Sequence, residues 1–112
     1  MPEFRMPSIN QVALSGRVTH GPEAWQSETG LFHLTFSVAV DRPYTDPSGI
    51  WQKETTTVPV RASGKLAEYV AERLQRGKAV FLTGRLTTRG TVLEVVARHI
   101  QFLDQEENAE EA

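Results

Sequence analysis

Leu31-Phe32-His33-Leu34-Thr35-Phe36-Ser37-Val38-Ala39-Val40 carries the clearest structural signal in the chain. Phe32, Leu34, Phe36, Val38 and Val40 alternate with His33, Thr35, Ser37 and Ala39. Successive side chains of an extended strand point to opposite faces. The stretch therefore reads as a strand with five large apolar groups on one face and small or polar groups on the other.

The same period of two recurs on both sides of it. Val12, Leu14 and Val18 alternate with Ala13, Ser15 and Arg17, and Gly16 interrupts the apolar row, which predicts a bend or a close backbone approach. Val58, Val60 and Ala62 alternate with Thr57, Pro59 and Arg61. Pro59 cannot donate to a ladder, so it belongs at an edge, a bulge or a strand end. Val80, Leu82 and Leu86 alternate with Phe81, Thr83 and Arg85, and a last strand runs from about Thr91 to Leu103. Its apolar phase slips around Val95-Val96, which predicts a bulge or a stretch buried on both sides. Between these two strands Gly90 can supply the positive φ of a tight hairpin. From Lys65 to Arg76 the period changes: Leu66, Ala67, Val70, Ala71 and Leu74 form one helical stripe, with Glu72 and Arg76 spaced as an i, i+4 pair and Gly77 at the C-cap. Asp41 to Lys53, with Pro43, Pro47 and Gly49, reads as a polar loop. The order is three strands, a helix, then two strands. This is an all-β fold with one α-helix between strands 3 and 4, and it is the order of a five-stranded OB-fold barrel. Closure also covers an apolar face that one short helix would leave exposed.

Length and composition agree with one such domain. The chain has 112 residues, 39% hydrophobic and 23% charged, ordinary for a globular fold with one modest core. Residues 1–8 read as a flexible lead-in, 9–104 as the folded domain and 105–112 as an acidic tail. Four of the 14 acids lie in that tail, leaving ten against 12 bases in residues 1–104, so the body is +2 and the tail −4. A mildly basic body permits a polyanionic partner. Apolar runs are too short for a membrane span, and the start has no apolar signal core, so a cytoplasmic location is expected.

Chemistry points to binding. There are no cysteines, and His20, His33 and His99 are spaced unlike metal ligands. No nucleophile elbow or phosphate-cradling glycine loop occurs. The chain reads as a binding protein, not an enzyme. Arg17, Arg42, Lys53, Arg61, Lys65, Arg85 and Arg89 form the candidate phosphate-binding set, and Tyr44 and Trp51 are candidate base-stacking platforms, with His33 a third. Basic groups neutralise phosphates, and each base–aromatic stack contributes about 1–3 kcal/mol. The competing reading of each charge is a solvated barrel exterior. For Trp25, Tyr44 and Trp51 it is packing against the barrel or a neighbouring subunit, and for His33 an exposed imidazole or an interface hydrogen bond.

Several motifs resemble those of bacterial single-stranded DNA-binding proteins. Ile9 to Val18 resembles their first strand, and Gly21-Pro22-Glu23 followed by Thr29-Gly30 resembles the loop after it, with Gly21 in place of the usual Asp. Phe36 to Tyr44 is similar to their second strand and its exit. Gly64-Lys65-Leu66-Ala67-Glu68, Arg76-Gly77-Lys78, Gly84 to Arg89, Glu94 to Ala97 and Ile100 to Leu103 complete the match, which spans residues 9–104. The resemblance implies an OB fold without a cofactor. It also implies a homotetramer or homodimer that binds single-stranded DNA without sequence specificity in replication, recombination or repair. Replication or repair proteins would be further partners, and no membrane is involved. The alternative is a primosomal-replication-protein-like or accessory OB module acting mainly through protein–protein contacts. Two of the family's aromatic positions fall at Thr57 and Ser63, and its long aromatic-bearing hairpin is reduced to Thr88-Arg89-Gly90-Thr91. The family's acidic-hydrophobic terminal tip has no counterpart in residues 105–112, so recruitment of partners through such a tip is not implied.

Overall fold

The computed structural model describes residues 5–103. Five strands close into a barrel in the order β1-β2-β3-β5-β4: β1 (Val12–Gln26), β2 (Phe32–Thr45), β3 (Trp51–Ser63), β4 (Ala79–Arg89) and β5 (Val92–Phe102), with α1 (Gly64–Ala71) between β3 and β4. Closure depends on β1, which changes partner, and on β3, which gains a second one. The first half of β1, Val12 to Arg17, pairs with β4, and its second half pairs with β2. At its far end β3 adds a short parallel pairing to β5, Val60 opposite Val95 and Arg61 opposite Val96. The expected OB-fold architecture is the one observed.

The alternating rows build the core as the period of two requires. Leu34, Phe36 and Val38 from β2 meet Val18, Val60, Val80, Leu82 and Val95 in one buried cluster, with Phe32, Val40, Val12 and Leu14 packed against it. Each fully buried aliphatic contributes roughly 1.5–3 kcal/mol. Ala67, Val70 and Leu74 of the helical stripe join the cluster, and α1 packs on β2, β3 and β5. Gly16 marks a close approach, as expected. A Cβ there would lie 2.1 Å from the Ala39 carbonyl oxygen. Gly90, with φ +66°, turns β4 into β5 directly after the Arg89–Val92 pair.

Several expectations need correction. The polar stretch from Asp41 to Lys53 is mostly strand: β2 and β3 pair in unbroken register from His33–Ser63 to Thr45–Trp51, leaving only Asp46 to Ile50 as the turn. Most residues of this outer ribbon are exposed, so backbone pairing and not burial sustains it. The helix ends at Ala71, short of Arg76. Leu74 stays buried because its N–H still bonds the Val70 carbonyl at 2.8 Å. Glu72 consequently approaches Arg73 and not Arg76, and the Gly77 N–H bonds the Val18 carbonyl in place of capping the helix. Leu86 lies beyond the barrel, 45% exposed, on the β4–β5 ribbon. The β5 bulge falls at Arg98, between the pairs Thr83–His99 and Gly84–Ala97, whereas the phase slip near Val95-Val96 marks a stretch buried on both sides, with Glu94 and Val95 successively buried. Pro59 sits inside β3, opposite Ser37, just before β5 joins at Val60 on the other side. Residues 1–4 and the acidic tail lie outside the described residues.

Candidate nucleic-acid interface

Residues directly opposite in a ladder share a face, and neighbours along a strand do not. The unbroken β2–β3 register therefore sorts the candidate residues into two sets. Leu34, Phe36, Val38 and Val40 face the core, and Arg42 and Tyr44 continue that row onto the ribbon, opposite Glu54 and Gln52. His33, Thr35 and Ser37 occupy the outer row, which continues to Thr45 opposite Trp51, with Lys53, Thr55, Thr57 and Arg61 facing the same way from β3. Tyr44 and Trp51 are one register step apart and so project from opposite faces of the ribbon. Both are accessible, Trp51 at 73% and Tyr44 at 37% exposure. The two platforms that the sequence suggested together do not form one surface.

The outer row is a strip on which Trp51, Lys53, Arg61 and His33 do come together. From His33 to Thr45 it spans 12 residue steps of β2, about 40 Å at the usual strand rise. Arg42 lies on the other face. Arg85 belongs to β4, two strands round the barrel from β3, where it lines a depression with Asn10, Gln11 and Arg98. Arg17 donates to the Gly77 carbonyl at 2.8 Å, and Lys65 is exposed on α1.

Arg42, Lys53, Arg61 and Arg89 already hold carboxylates. Arg42 Nε meets Glu54 at 2.9 Å, with its guanidinium 5.0 Å from the Tyr44 ring centre. Lys53 Nζ lies 3.9 Å from Asp41, which also accepts from the Thr55 hydroxyl at 2.7 Å. Both pairs are more than half exposed on each partner, and such pairs contribute about 0–1 kcal/mol. An approaching phosphate can displace those carboxylates at small cost. Arg61 is different. Its Nε donates to Glu94 Oε2 at 2.8 Å, and the Glu94 side chain is only 5% exposed. Arg89 reaches the other oxygen of Glu94 at 3.8 Å. Sequence reading placed Glu94 only in a family motif and gave it no role in the site, since an acid 33 positions from its partner leaves no local signal.

His33 is the second correction. It is buried, at 7% exposure, and not an exposed imidazole on a polar face. Trp25, directly opposite on β1, stacks on it with ring centres 4.2 Å apart and planes inclined by 21°. Its Nδ1 shares a 2.7 Å hydrogen bond with the Ser63 hydroxyl. That bond occupies the one side chain placed to cap α1, and Ser63 makes no side-chain cap.

The ribbon tip is held by Asp46. Its carboxylate accepts from the Ile50 and Ser48 amides, each at 2.9 Å, and from the Gln52 side-chain amide at 3.1 Å. The Ile50 bond above all, then Gln52, holds the carboxyl below the ordinary 3.8. A lowered carboxylate pKa favours the ordered turn above the unfolded value, and the contribution disappears as pH falls through the lowered folded value. The Ser48 and Ile50 amide resonances should therefore titrate with a midpoint below 3.8, followed by NMR. In a Trp25→Phe background, where Trp51 is the only indole, Asp46→Ala should lower the steady-state anisotropy of its emission at neutral pH, because the turn beside it frays.

Among the described residues no group of three or more His, Cys, Asp and Glu side chains could hold a metal ion, and no helix is long and apolar enough to cross a membrane. A model of the single-strand binding protein family matches residues 9–103. The chain belongs to that family. Single-stranded DNA-binding protein 2 of Chlorobaculum tepidum is 36% identical over 110 aligned residues, covering 89% of this chain and 74% of that protein. Single-stranded DNA-binding protein 1 of Clostridium acetobutylicum is 33% identical over 90% of this chain and 99% of its own. Among solved structures, a deletion mutant of the single-stranded DNA binding protein from Thermus aquaticus superposes with a TM-score of 0.75 at 30% identity. It covers 85% of this chain, which spans half of the Thermus chain. Within this family frame, the strip from Trp25 to Trp51 is the aromatic and cationic surface that the barrel presents beside β2.

Proposed function

We propose that the chain binds single-stranded DNA without sequence preference along the outer face of β1, β2 and β3. The observation that carries this reading is the single-strand binding family match across residues 9–103. The outer strip supports it, because Trp51, Lys53 and the threonines at 35, 55 and 57 face one way along about 40 Å. Aromatic platforms accept any base, and cations accept any phosphate, so neither reads sequence. Arg42 and Tyr44 engage strand that passes over the opposite face of the ribbon, while Arg17, Lys65 and Arg85 supply charge further round the surface. Arg61 and His33 serve mainly to hold the strip in place. Binding and not catalysis is the activity, and no cofactor takes part. A homodimer or homotetramer in the cytoplasm, acting in replication, recombination or repair, fits both the family and the short groove of a single barrel.

Fluorescence-anisotropy titration with labelled oligothymidine of about 35 nucleotides tests the reading, with duplex DNA and RNA of equal length as competitors. A wide preference for the single strand is the expected result, with affinity falling as salt rises. Equal affinity for the duplex, or binding that moderate salt removes entirely, would refute it and favour the alternative of an OB module that works through protein contacts.

A further inference from the structure

We infer that Trp25, backed by His33 and flanked by Arg89, is a nucleotide-binding subsite at the end of the strip opposite Trp51. The inference rests on the proposed single-stranded DNA binding and adds a site to it. The row Trp25–His33–Ser63 runs straight across β1, β2 and β3 on the outer face. Each member fixes the next. The Ser63 hydroxyl holds the imidazole at 2.7 Å, and the imidazole supports the indole at 4.2 Å between ring centres. His33 is buried, yet Trp25 remains 39% exposed. A tryptophan that served only to cover the imidazole would gain by sinking further, whereas this one presents indole to solvent on a rigid backing. An aromatic surface whose rotamer is already fixed loses little freedom when a base stacks on it.

The second half of a nucleotide site is a cation within one phosphate's reach. The Arg89 guanidinium lies 5.8 Å from the centre of the Trp25 ring. Its contact with Glu94 is 3.8 Å long, and its side chain is 56% exposed, so most of its five N–H donors remain available to an anion. One base on the indole with its neighbouring phosphate on Arg89 uses both groups as they stand. The row also explains how this chain tolerates Ser63 at a position where the family pattern places an aromatic. The hydroxyl positions a platform carried by the neighbouring hairpin.

Trp25 and Trp51 are the two tryptophans of the chain, so Trp51→Phe leaves Trp25 as the sole indole emitter. Oligothymidine should quench that emission in parallel with the anisotropy rise, and an abasic oligomer of the same length should bind without quenching. Trp25→Ala should weaken oligothymidine binding roughly tenfold, as expected for one lost stack, while Trp25→Phe should lose less. Arg89→Gln should weaken binding and reduce the salt slope by about one. Normal binding by anisotropy, with unquenched Trp25 emission and Trp25→Phe and Trp25→Ala both within about twofold of the parent, would overturn the subsite and leave the family activity standing. Absence of binding by the parent protein itself would overturn both.

Discussion

Arg61→Ala should cost about 3 kcal/mol of folding stability, far more than an ordinary surface arginine, because it strands a buried carboxylate. Glu94 is 5% exposed, and its shortest ion pair is the 2.8 Å bond to Arg61 Nε. Removing one partner of a buried pair destabilises by about 3–5 kcal/mol, since the remaining charge keeps its desolvation penalty and loses its compensation. The 3.8 Å approach of Arg89 offsets part of this, which places the expectation at the lower end. Urea unfolding followed by circular dichroism measures it. The double replacement Arg61→Met with Glu94→Leu should recover most of the loss, because an apolar pair of similar volume leaves no charge to solvate. Its DNA affinity should remain close to the parent's, whereas Lys53→Ala should lower affinity and leave stability nearly unchanged. An Arg61→Ala protein as stable as the parent but defective in binding would return Arg61 to the phosphate-contacting set.

Gly16→Ala should be the next most damaging change, by about 3 kcal/mol, the upper part of the range for overpacking. The added carbon would lie 2.1 Å from the Ala39 carbonyl oxygen and 2.8 Å from Val38 Cγ1. A flexible side chain could swing aside, but a backbone carbonyl in a ladder cannot move alone. Relief requires β1 and β2 to separate near the Arg17–Ala39 pair, where β1 passes from β4 to β2. Closure of the barrel depends on that exchange. Gly49→Ala is the natural comparison. Its φ of +85° is unfavourable for any side chain, but no atom lies within 4 Å of the new carbon. It should cost about 1–2 kcal/mol, from backbone strain alone. Thermal melts of the two variants side by side separate the terms; equal losses would mean that the crossing at Gly16 relaxes freely.

The candidate cations differ sharply in how freely they can meet a phosphate. Arg42 and Lys53 sit in exposed pairs that water already weakens. Arg61 is committed to Glu94, and Arg89 only lightly so. Counting basic residues along the strands, as sequence reading must, treats all four alike. Ordering them needs the depth of the carboxylate each one faces.

What the sequence determined by itself was the barrel and its interior. Phe36, Val38, Val60, Val80 and Leu82 are legible as core because burial on a strand repeats every two residues and on a helix every three to four. Those periods are properties of the local backbone, and no distant residue is needed to see them. Family membership was legible for the same reason, through short motifs such as Gly64 to Glu68 in their proper order. Only the tertiary structure decided the rest. The outer ribbon from Asp41 to Lys53 carries no apolar alternation because it faces water, so its strands show only once their backbones are paired. The sequence reading ends β1 at Val18, because register shifts between Val18 and Glu23 break the period ahead of Trp25. The opposition of Tyr44 and Trp51, the stacking of Trp25 on His33 and the burial of Glu94 beneath Arg61 depend on register between separate segments. Register is fixed by how the whole sheet closes, and a one-residue slip would have turned each of those side chains to the other face.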